Sequence, residues 1–263
     1  MKNTICLFDM DGTLTAPRKK INTSMIRQLQ RLSKYMKIGI VTGSDYDYVL
    51  QQCSEIFDIG GVDVDKIDIF PCNGTKHYSW KNNNFELLHD ADMIEEIGQL
   101  NYNYILQCLS AFQMMITLSH DLPYTGTFFQ YRGTMLNWCP IGRQAVDFER
   151  EAWVDADSEK GIRNYFFDEI KNLISERKMN VTVALGGSTS FDIYPTGWDK
   201  TYVMNHLDLY DEVLFVGDRC KEGGNDKALY EFLSPGITSF ETEGPDLTVE
   251  IINNIIKGVN KNV

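Results

Sequence analysis

Asp9-Met10-Asp11-Gly12-Thr13-Leu14-Thr15 sets two carboxylates at i and i+2 directly after a short apolar run, Thr4 to Phe8. Side chains two apart in an extended chain share a face, and Gly12 lets the backbone turn away behind them. One carboxylate of such a pair can attack phosphorus as a nucleophile. The other can move a proton on the attacking or leaving oxygen. Two anions beside an anionic phosphate call for a divalent cation, and an oxygen-rich site suits magnesium. Asp-x-Asp alone reads as an ordinary acidic loop. Asp-x-Asp-Gly-Thr after an N-terminal apolar strand reads as a functional motif.

Such a pair needs a scaffold that ends a buried strand at a ligand-binding edge, as the carboxyl edge of a parallel sheet does. The first third of the chain has the required alternation. Thr4 to Phe8, Lys37 to Thr42 and Ile67 to Phe70 read as strands. Asn22, Thr23 and Ser24 offer caps for a helix with Ile26, Leu29 and Leu32 on one face, and a second helix starts at Asp45. Gly43 and Asn73-Gly74 supply turns. The middle changes character after a polar break at residues 81–84. Helices are expected from about Met93 to Phe112 and from Glu159 to Arg177. Strands are expected at Met114 to Ser119, Thr127 to Arg132, Met135 to Cys139 and Asn180 to Leu185. Glu212 to Val216, ending in Gly217-Asp218, returns to the first pattern. The expected architecture is α/β: a parallel-sheet core from residues 1–81 and 188–263, with an inserted α+β domain at 82–187.

Composition removes other classes. Of 263 residues, 43% are hydrophobic and 24% charged, which suits a packed globular chain. Lys and Arg number 25 against 37 Asp and Glu, a formal charge of −12, which disfavours a nucleic-acid or anionic-membrane partner. No apolar run reaches the ~18 residues of a membrane span, and the N-terminal apolar stretch is too short for a signal peptide. The six cysteines form no Cys-x-x-Cys pair and the four histidines have no metal-ligand spacing. A cytoplasmic protein with reduced cysteines is expected.

Asp-x-Asp-Gly-Thr at the end of a first strand resembles the signature of the haloacid dehalogenase superfamily of phosphotransferases. The later motifs follow in that superfamily's order: Thr42-Gly43-Ser44-Asp45, then Lys200 in Gly197-Trp198-Asp199-Lys200, then Gly217-Asp218 with Gly223-Gly224-Asn225-Asp226. The chain is more narrowly similar to the eukaryotic-type phosphomannomutases over nearly its whole length. Arg18 after Pro17, Tyr131-Arg132, Met135-Leu136-Asn137, Pro140-Ile141-Gly142-Arg143 and Ser190-Phe191-Asp192 carry that likeness.

The resemblance implies a Rossmann-like core of the haloacid dehalogenase fold, capped by the inserted domain, with a homodimer formed through the cap. It implies that mannose 6-phosphate and mannose 1-phosphate are interconverted through a phosphorylated Asp9 and a hexose 1,6-bisphosphate that also serves as activator. The product would supply GDP-mannose synthesis. Asp11 matches the general acid/base and Lys200 the residue that neutralises the transferring group. Asp9, the Asp11 backbone carbonyl and Asp218 match the Mg2+ ligands. Asn225 and Asp226 match residues that orient Lys200 or metal-bound water, and Thr42 or Ser44 contacts the phosphoryl group. Arg132, Arg143 and Arg150 match residues that hold the non-reacting phosphate. Asn137, Ser190 and Asp192 match residues bonding the phosphate or sugar hydroxyls, and Arg18 a core residue facing the cap.

Two departures stand out. Arg219-Cys220 replaces the family's usual Lys-Thr, and Tyr230-Glu231-Phe232-Leu233 lacks the Asp of a further cation loop. A capped sugar phosphatase of the same superfamily is the alternative, with water as acceptor. The three cap arginines favour a mutase, because a monophosphate has no second phosphate to anchor. A silent sugar-phosphate sensor is disfavoured by the presence of Asp9, Asp11, Lys200 and Asp218 together.

Overall fold

The computed structural model describes residues 2–58 and 61–261. The chain divides into two compact units, Met1–Asp90 with Trp198–Val263, and Ala91–Gly197.

The first unit is built on β1 (Thr4–Phe8), α1 (Thr23–Leu32), β2 (Lys37–Val41), α2 (Tyr46–Cys53), α3 (Glu55–Asp58), β3 (Ile67–Phe70), β4 (Lys76–Lys81) and β5 (Asn84–Asp90). The second unit follows with α4 (Met93–Ile97), α5 (Gln99–Ser119), β6 (Phe129–Tyr131), β7 (Leu136–Trp138), α6 (Asp147–Lys160), α7 (Ile162–Glu176), β8 (Val181–Gly186) and β9 (Ser190–Pro195). The chain then returns to the first unit with β10 (Glu212–Gly217), α8 (Lys227–Phe232), β11 (Ser239–Glu241) and α9 (Pro245–Lys261).

The core sheet has seven strands in the order β11-β10-β1-β2-β3-β4-β5. It is parallel from β11 to β3 and antiparallel from there to β5. β1 is the middle of the five parallel strands, and every one of its residues is buried. Cys6 and Phe8 pack on one face with Met25, Ile38, Val49 and Ile252. Ile5 and Leu7 pack on the other with Phe70, Val203, Phe215 and Leu229. A strand apolar on both faces belongs inside a sheet covered on both sides. α1 is capped by Asn22, whose side chain accepts from Met25 N–H at 2.8 Å, and Asp45 caps α2 from Tyr48 N–H at 2.9 Å. Each cap fixes where the chain leaves a strand end and begins its crossover.

The second unit carries a four-stranded antiparallel sheet in the order β6-β7-β9-β8. Trp138 and Phe191 stack across β7 and β9 at 4.7 Å between ring centroids, and both are fully buried.

Three expectations are corrected. Met114 to Ser119 is the last part of α5, not a strand. Tyr102, Ile105, Leu109, Gln113 and Ile116 are its buried residues, at helical spacing, while Met114, Met115 and Leu118 are exposed. The helices expected from Met93 and from Glu159 are each two: α4 and α5 part at Gly98 with φ +81°, and α6 and α7 at Gly161 with φ +64°. The unit boundaries fall at 90/91 and 197/198 rather than 81/82 and 187/188. The polar break at 81–84 is a hairpin turn, with Asn82 and Asn83 at φ +51° and +61°, so β5 pairs back onto β4 in the core sheet. β9 pairs with β7 and β8 and stays with the second unit. Among the described residues, no helix is long and apolar enough to cross a membrane, and all six cysteines are free.

Candidate active site

Asp9 is the first residue after β1, at the carboxyl edge of the central strand, and its N–H donates to Val216 O at 2.9 Å. Strand order puts β10 and β2 on either side of β1, so the chain ends that follow these three strands meet at one edge. This is the topological switch point of an open α/β sheet. β10 delivers Asp218, β2 delivers Thr42, and the loop after β10 folds back to deliver Asp226.

The centre of the site is a buried ion cluster. Lys200 Nζ, fully buried, contacts both Asp9 Oδ1 and Asp226 Oδ1. The second oxygen of Asp226 accepts from Arg219 N–H at 3.0 Å. Lys200 opens a 3₁₀ segment, Lys200–His206, whose cap is Asp199 accepting from Thr201 N–H at 2.8 Å. Gly217 admits Asp226, since a Cβ there would fall 2.8 Å from the Asp226 Cγ.

Oxygens of Asp9, Asp218 and Asp226 lie within 4.8 Å of one another. One ammonium against three carboxylates leaves two negative charges uncompensated, which suits a divalent cation. Asp218 Oδ1 is buried and has no hydrogen-bond partner, as a ligand atom awaiting a cation would be. The donors are all oxygen, which fits magnesium. Burial, the largest influence, pushes the Asp9 carboxyl up to about 7. Lys200 opposes the shift, while Asp226 and Asp218 add to it. Burial and then Asp226 push Asp218 up to about 6. Burial alone would lower Lys200, but the carboxylates of Asp226 and Asp9 outweigh it and hold the ammonium charged.

Asp11 does not join this cluster through its side chain. Its Oδ1 accepts from Arg18 N–H at 2.9 Å and from Gln52 Nε2 at 3.2 Å. Arg18 itself is exposed and adopts φ +60°. Thr42 is buried, and its hydroxyl oxygen accepts from Ser44 N–H at 3.1 Å, which leaves the hydroxyl proton to donate. The Ser44 carbonyl accepts from Cys72 N–H at 2.8 Å. Asn225 is exposed on the loop that Asp226 closes.

The second unit groups its own candidates. Asn137 Nδ2 donates to Asp192 Oδ1 at 2.7 Å, and Asn137 Oδ1 accepts from Arg143 Nη1 at 2.8 Å. These residues sit on β7, on β9 and in the turn after β7. Burial and then the charge of Arg132 lower Arg143, with Arg150 acting in the same direction. The Asp192 carboxylate acts on Arg143 in the opposite direction. Arg132 Nη1 lies 3.8 Å from Met135 Sδ. Arg150 lines a 300 Å³ hollow with Ser188 and α6 residues Asp147, Glu151 and Asp155. Ser190 is buried at the start of β9.

Two residues of the first unit were not singled out from sequence as site residues. Gln52 is buried on α2 and reaches Asp11. Asn73, read only as half of a turn pair, sits at φ +63°. Its N–H donates to Thr42 O at 2.7 Å and its Nδ2 to Trp198 O at 3.4 Å, so it ties the end of β2 to the segment that carries Lys200. The turn pair was the only signal for Asn73, and nothing marked Gln52.

The family model described as eukaryotic phosphomannomutase matches residues 25–258. It begins downstream of the Asp9 motif, whose place at the switch point rests on the geometry above. A protein called phosphomannomutase 2 from Dictyostelium discoideum is 36% identical, over 96% of this chain and 96% of that protein. A phosphomannomutase from Dendrobium officinale is 34% identical, over 95% of this chain and 93% of its own. Among solved structures, an IMP-bound mutant of Plasmodium falciparum IMP-nucleotidase superimposes with a TM-score of 0.68 at 15% identity, over 97% of this chain and 68% of that one. A trehalose-6-phosphate phosphatase related protein gives a TM-score of 0.55 at 14% identity, over 98% of this chain and 99% of that one. At those identities the likeness speaks for the fold, which is the haloacid dehalogenase fold.

Proposed function

The chain belongs to the eukaryotic phosphomannomutase family, and from that premise we propose that it interconverts mannose 6-phosphate and mannose 1-phosphate, supplying GDP-mannose synthesis. Membership makes it an isomerase of the phosphotransferase kind. The observation that carries the mechanism is the contact of one buried lysine, Lys200, with Asp9 beside the unpartnered oxygen of Asp218.

In this reading the resting enzyme carries a phosphoryl group on Asp9. The C1 oxygen of mannose 6-phosphate attacks that phosphorus while Asp11 takes the hydroxyl proton, giving mannose 1,6-bisphosphate and ionised Asp9. The bisphosphate turns end for end. Asp9 then attacks the phosphorus on the C6 oxygen, and Asp11 returns the proton to that oxygen as it leaves. Lys200 offsets charge on the transferring group in both directions, and Asp226 holds Lys200 in place. The Thr42 hydroxyl proton and the Ser44 side chain are the candidates to meet the phosphoryl oxygens. Asp9, Asp218 and the Asp11 backbone carbonyl would hold Mg2+, with Asn225 at the edge of that loop. When bound, the ion supplies positive charge for the phosphoryl oxygens and favours the ionised nucleophile.

The non-reacting phosphate goes to Arg132, Arg143 and Arg150, where planar guanidinium groups can grip two oxygens each. Arg18, Asn137, Ser190 and Asp192 complete the sugar-phosphate contacts. A homodimer formed through residues 91–197 and a cytoplasmic location complete the proposal.

The test supplies mannose 1-phosphate, with and without a hexose 1,6-bisphosphate, and follows mannose 6-phosphate and inorganic phosphate together. Bisphosphate-dependent isomerisation with little phosphate release is expected. Phosphate release without isomerisation would replace this reading with a sugar phosphatase. Glucose 1-phosphate in parallel fixes the sugar preference.

A further inference from the structure

Gln52 is a buried glutamine with no apolar role on an amphipathic helix, and both ends of its side-chain amide are used. Its Oε1 accepts from the Thr15 hydroxyl at 2.8 Å, and its Nε2 donates to Asp11 Oδ1 at 3.2 Å. The Gln52 backbone carbonyl also accepts from Ile21 N–H at 2.9 Å. α2 is thereby pinned to both ends of the motif that carries Asp9 and Asp11. An ionised carboxylate can only accept, so the amide nitrogen must be the end that faces Asp11. Thr15 N–H is bonded to Met10 O, and the Thr15 hydroxyl has that same carbonyl 3.3 Å away, so Thr15 is fixed independently of Gln52.

We propose that Gln52 is the positioning residue for Asp11: its amide and the Arg18 N–H together occupy Oδ1, so the proton exchanged with the sugar oxygen is carried on Oδ2. The proposal rests on the acid/base role given to Asp11 above. A carboxylate whose two oxygens were equivalent could turn about its Cβ–Cγ bond and present the proton to either side. Two donors on one oxygen stop that rotation and leave a single oxygen to take and return the proton. Gln52 touches no reacting atom. It acts through Asp11, and α2 places it there, beside the Tyr48 side chain that it also meets, because the helix is capped by Asp45 directly after the Thr42–Ser44 segment.

The test is a double-mutant cycle of Gln52→Met with Asp11→Asn, measured on the full-length enzyme with its natural sugar phosphate. Methionine keeps the volume and removes both polar ends. Gln52→Glu is made in parallel; it keeps an acceptor for Thr15 and turns an oxygen toward Asp11. In the Asp11-containing enzyme each variant should lower kcat about ten- to a hundredfold, the loss expected for a donor to a charged group, with KM changed less. Added to Asp11→Asn, Gln52→Met should cost no more than about twofold further. The Gln52→Met loss should also shrink for an aryl phosphate, whose leaving oxygen needs little protonation. Equal losses in both backgrounds, or equal losses for sugar and aryl phosphates, overturn the proposal and make Gln52 a structural tie. A normal rate in Gln52→Met and Gln52→Glu, with Asp11→Asn impaired, overturns it while sparing the acid/base reading. A normal rate in Asp11→Asn sinks that reading and this inference with it.

Discussion

The Asp218 carboxylate occupies the space that a side chain at Gly12 would need: a Cβ there would fall 2.2 Å from Asp218 Oδ2. Two motifs from opposite ends of the chain therefore interlock at one atom's width. Gly12→Ala is expected to displace Asp218 and to strain a backbone at φ +86°, at about 1–2 kcal/mol. The magnesium concentration for half-maximal activity should rise and the melting temperature fall. A variant with an unshifted magnesium titration would show that the Asp218 loop yields without consequence.

Asp9→Asn should abolish isomerisation while leaving the fold intact, because the amide cannot form the acyl phosphate. Acid-quenched protein from radiolabelled bisphosphate should carry label in the wild type and none in the variant. Residual labelling at wild-type stoichiometry would move the nucleophile elsewhere.

Asp226→Asn should behave differently from Asp9→Asn in stability. Asp226 is fully buried and bonds both Lys200 and Arg219 N–H, so losing its charge leaves the buried ammonium only Asp9, a carboxyl whose own charge the site disfavours. Breaking a buried pair this way costs about 3–5 kcal/mol. Asp9 is held in a site that disfavours its charge, so its neutralisation should be close to neutral for folding in metal-free protein. Urea unfolding of both variants in chelator ranks the two; a larger loss for Asp9→Asn contradicts the assignment.

Metal-free protein should lose stability as pH rises from acid to neutral. The carboxyls of Asp9 and Asp218 are raised from 3.8 to about 7 and about 6 in the fold. Their contribution is fully present below the unfolded value and disappears as pH climbs through the folded values. Mg2+ competes with those protons, so its stabilisation should be larger at pH 8 than at pH 5. Thermal melts with and without Mg2+ at both pH values check this; an equal shift at both would place the cation away from these carboxylates.

Arg143→Ala should separate isomerisation from simple hydrolysis. The guanidinium is aimed by Asn137, which Asp192 holds in turn. A charge-assisted contact to a distal phosphate is worth roughly 1.5–3 kcal/mol. Isomerisation should fall by far more than aryl phosphate hydrolysis, with bisphosphate released into solution and inorganic phosphate accumulating as water attacks the phosphorylated Asp9. Equal losses in both reactions would mean Arg143 does not hold the second phosphate.

The strands nearest the site were legible because each is an apolar run buried on both faces, as in Ile67 to Phe70. The starts of α1 and α2, near Asn22–Ser24 and at Asp45, were legible for a similar reason: a side chain bonding its own helix is a local event. β4 and β5 were not, since His77, Tyr78 and Trp80 are only partly covered and the Asn82-Asn83 turn resembles any polar break. α6 escaped because Trp153 is its one buried residue among those described, too little to give a period. Asp9, Lys200 and Asp218 could be named from motif order, but their convergence depends on strand order, which no local pattern encodes. Gln52 lies furthest from legibility. Its bond to Asp11 spans 41 residues, and its flanking residues advertise only a helix.

β1 precedes every other strand of the sheet in the sequence and gains its second neighbour only when β10 is made. Its neighbour β10 begins at Glu212, and the Asn3 to Asp211 bond beside that pairing spans 208 residues. A nascent chain leaving the ribosome therefore carries one open edge of a strand meant for burial on both faces through the synthesis of the whole second unit. Such an edge invites pairing with other chains, so chaperone cover during translation matters more for this topology than for one closed locally. Asp9 also emerges long before Lys200 and Asp226, its partners in charge. Products that end before β10 carry Asp9 without Asp218 and Asp226, and so lack the carboxylate cluster as well as the strand that covers the open edge.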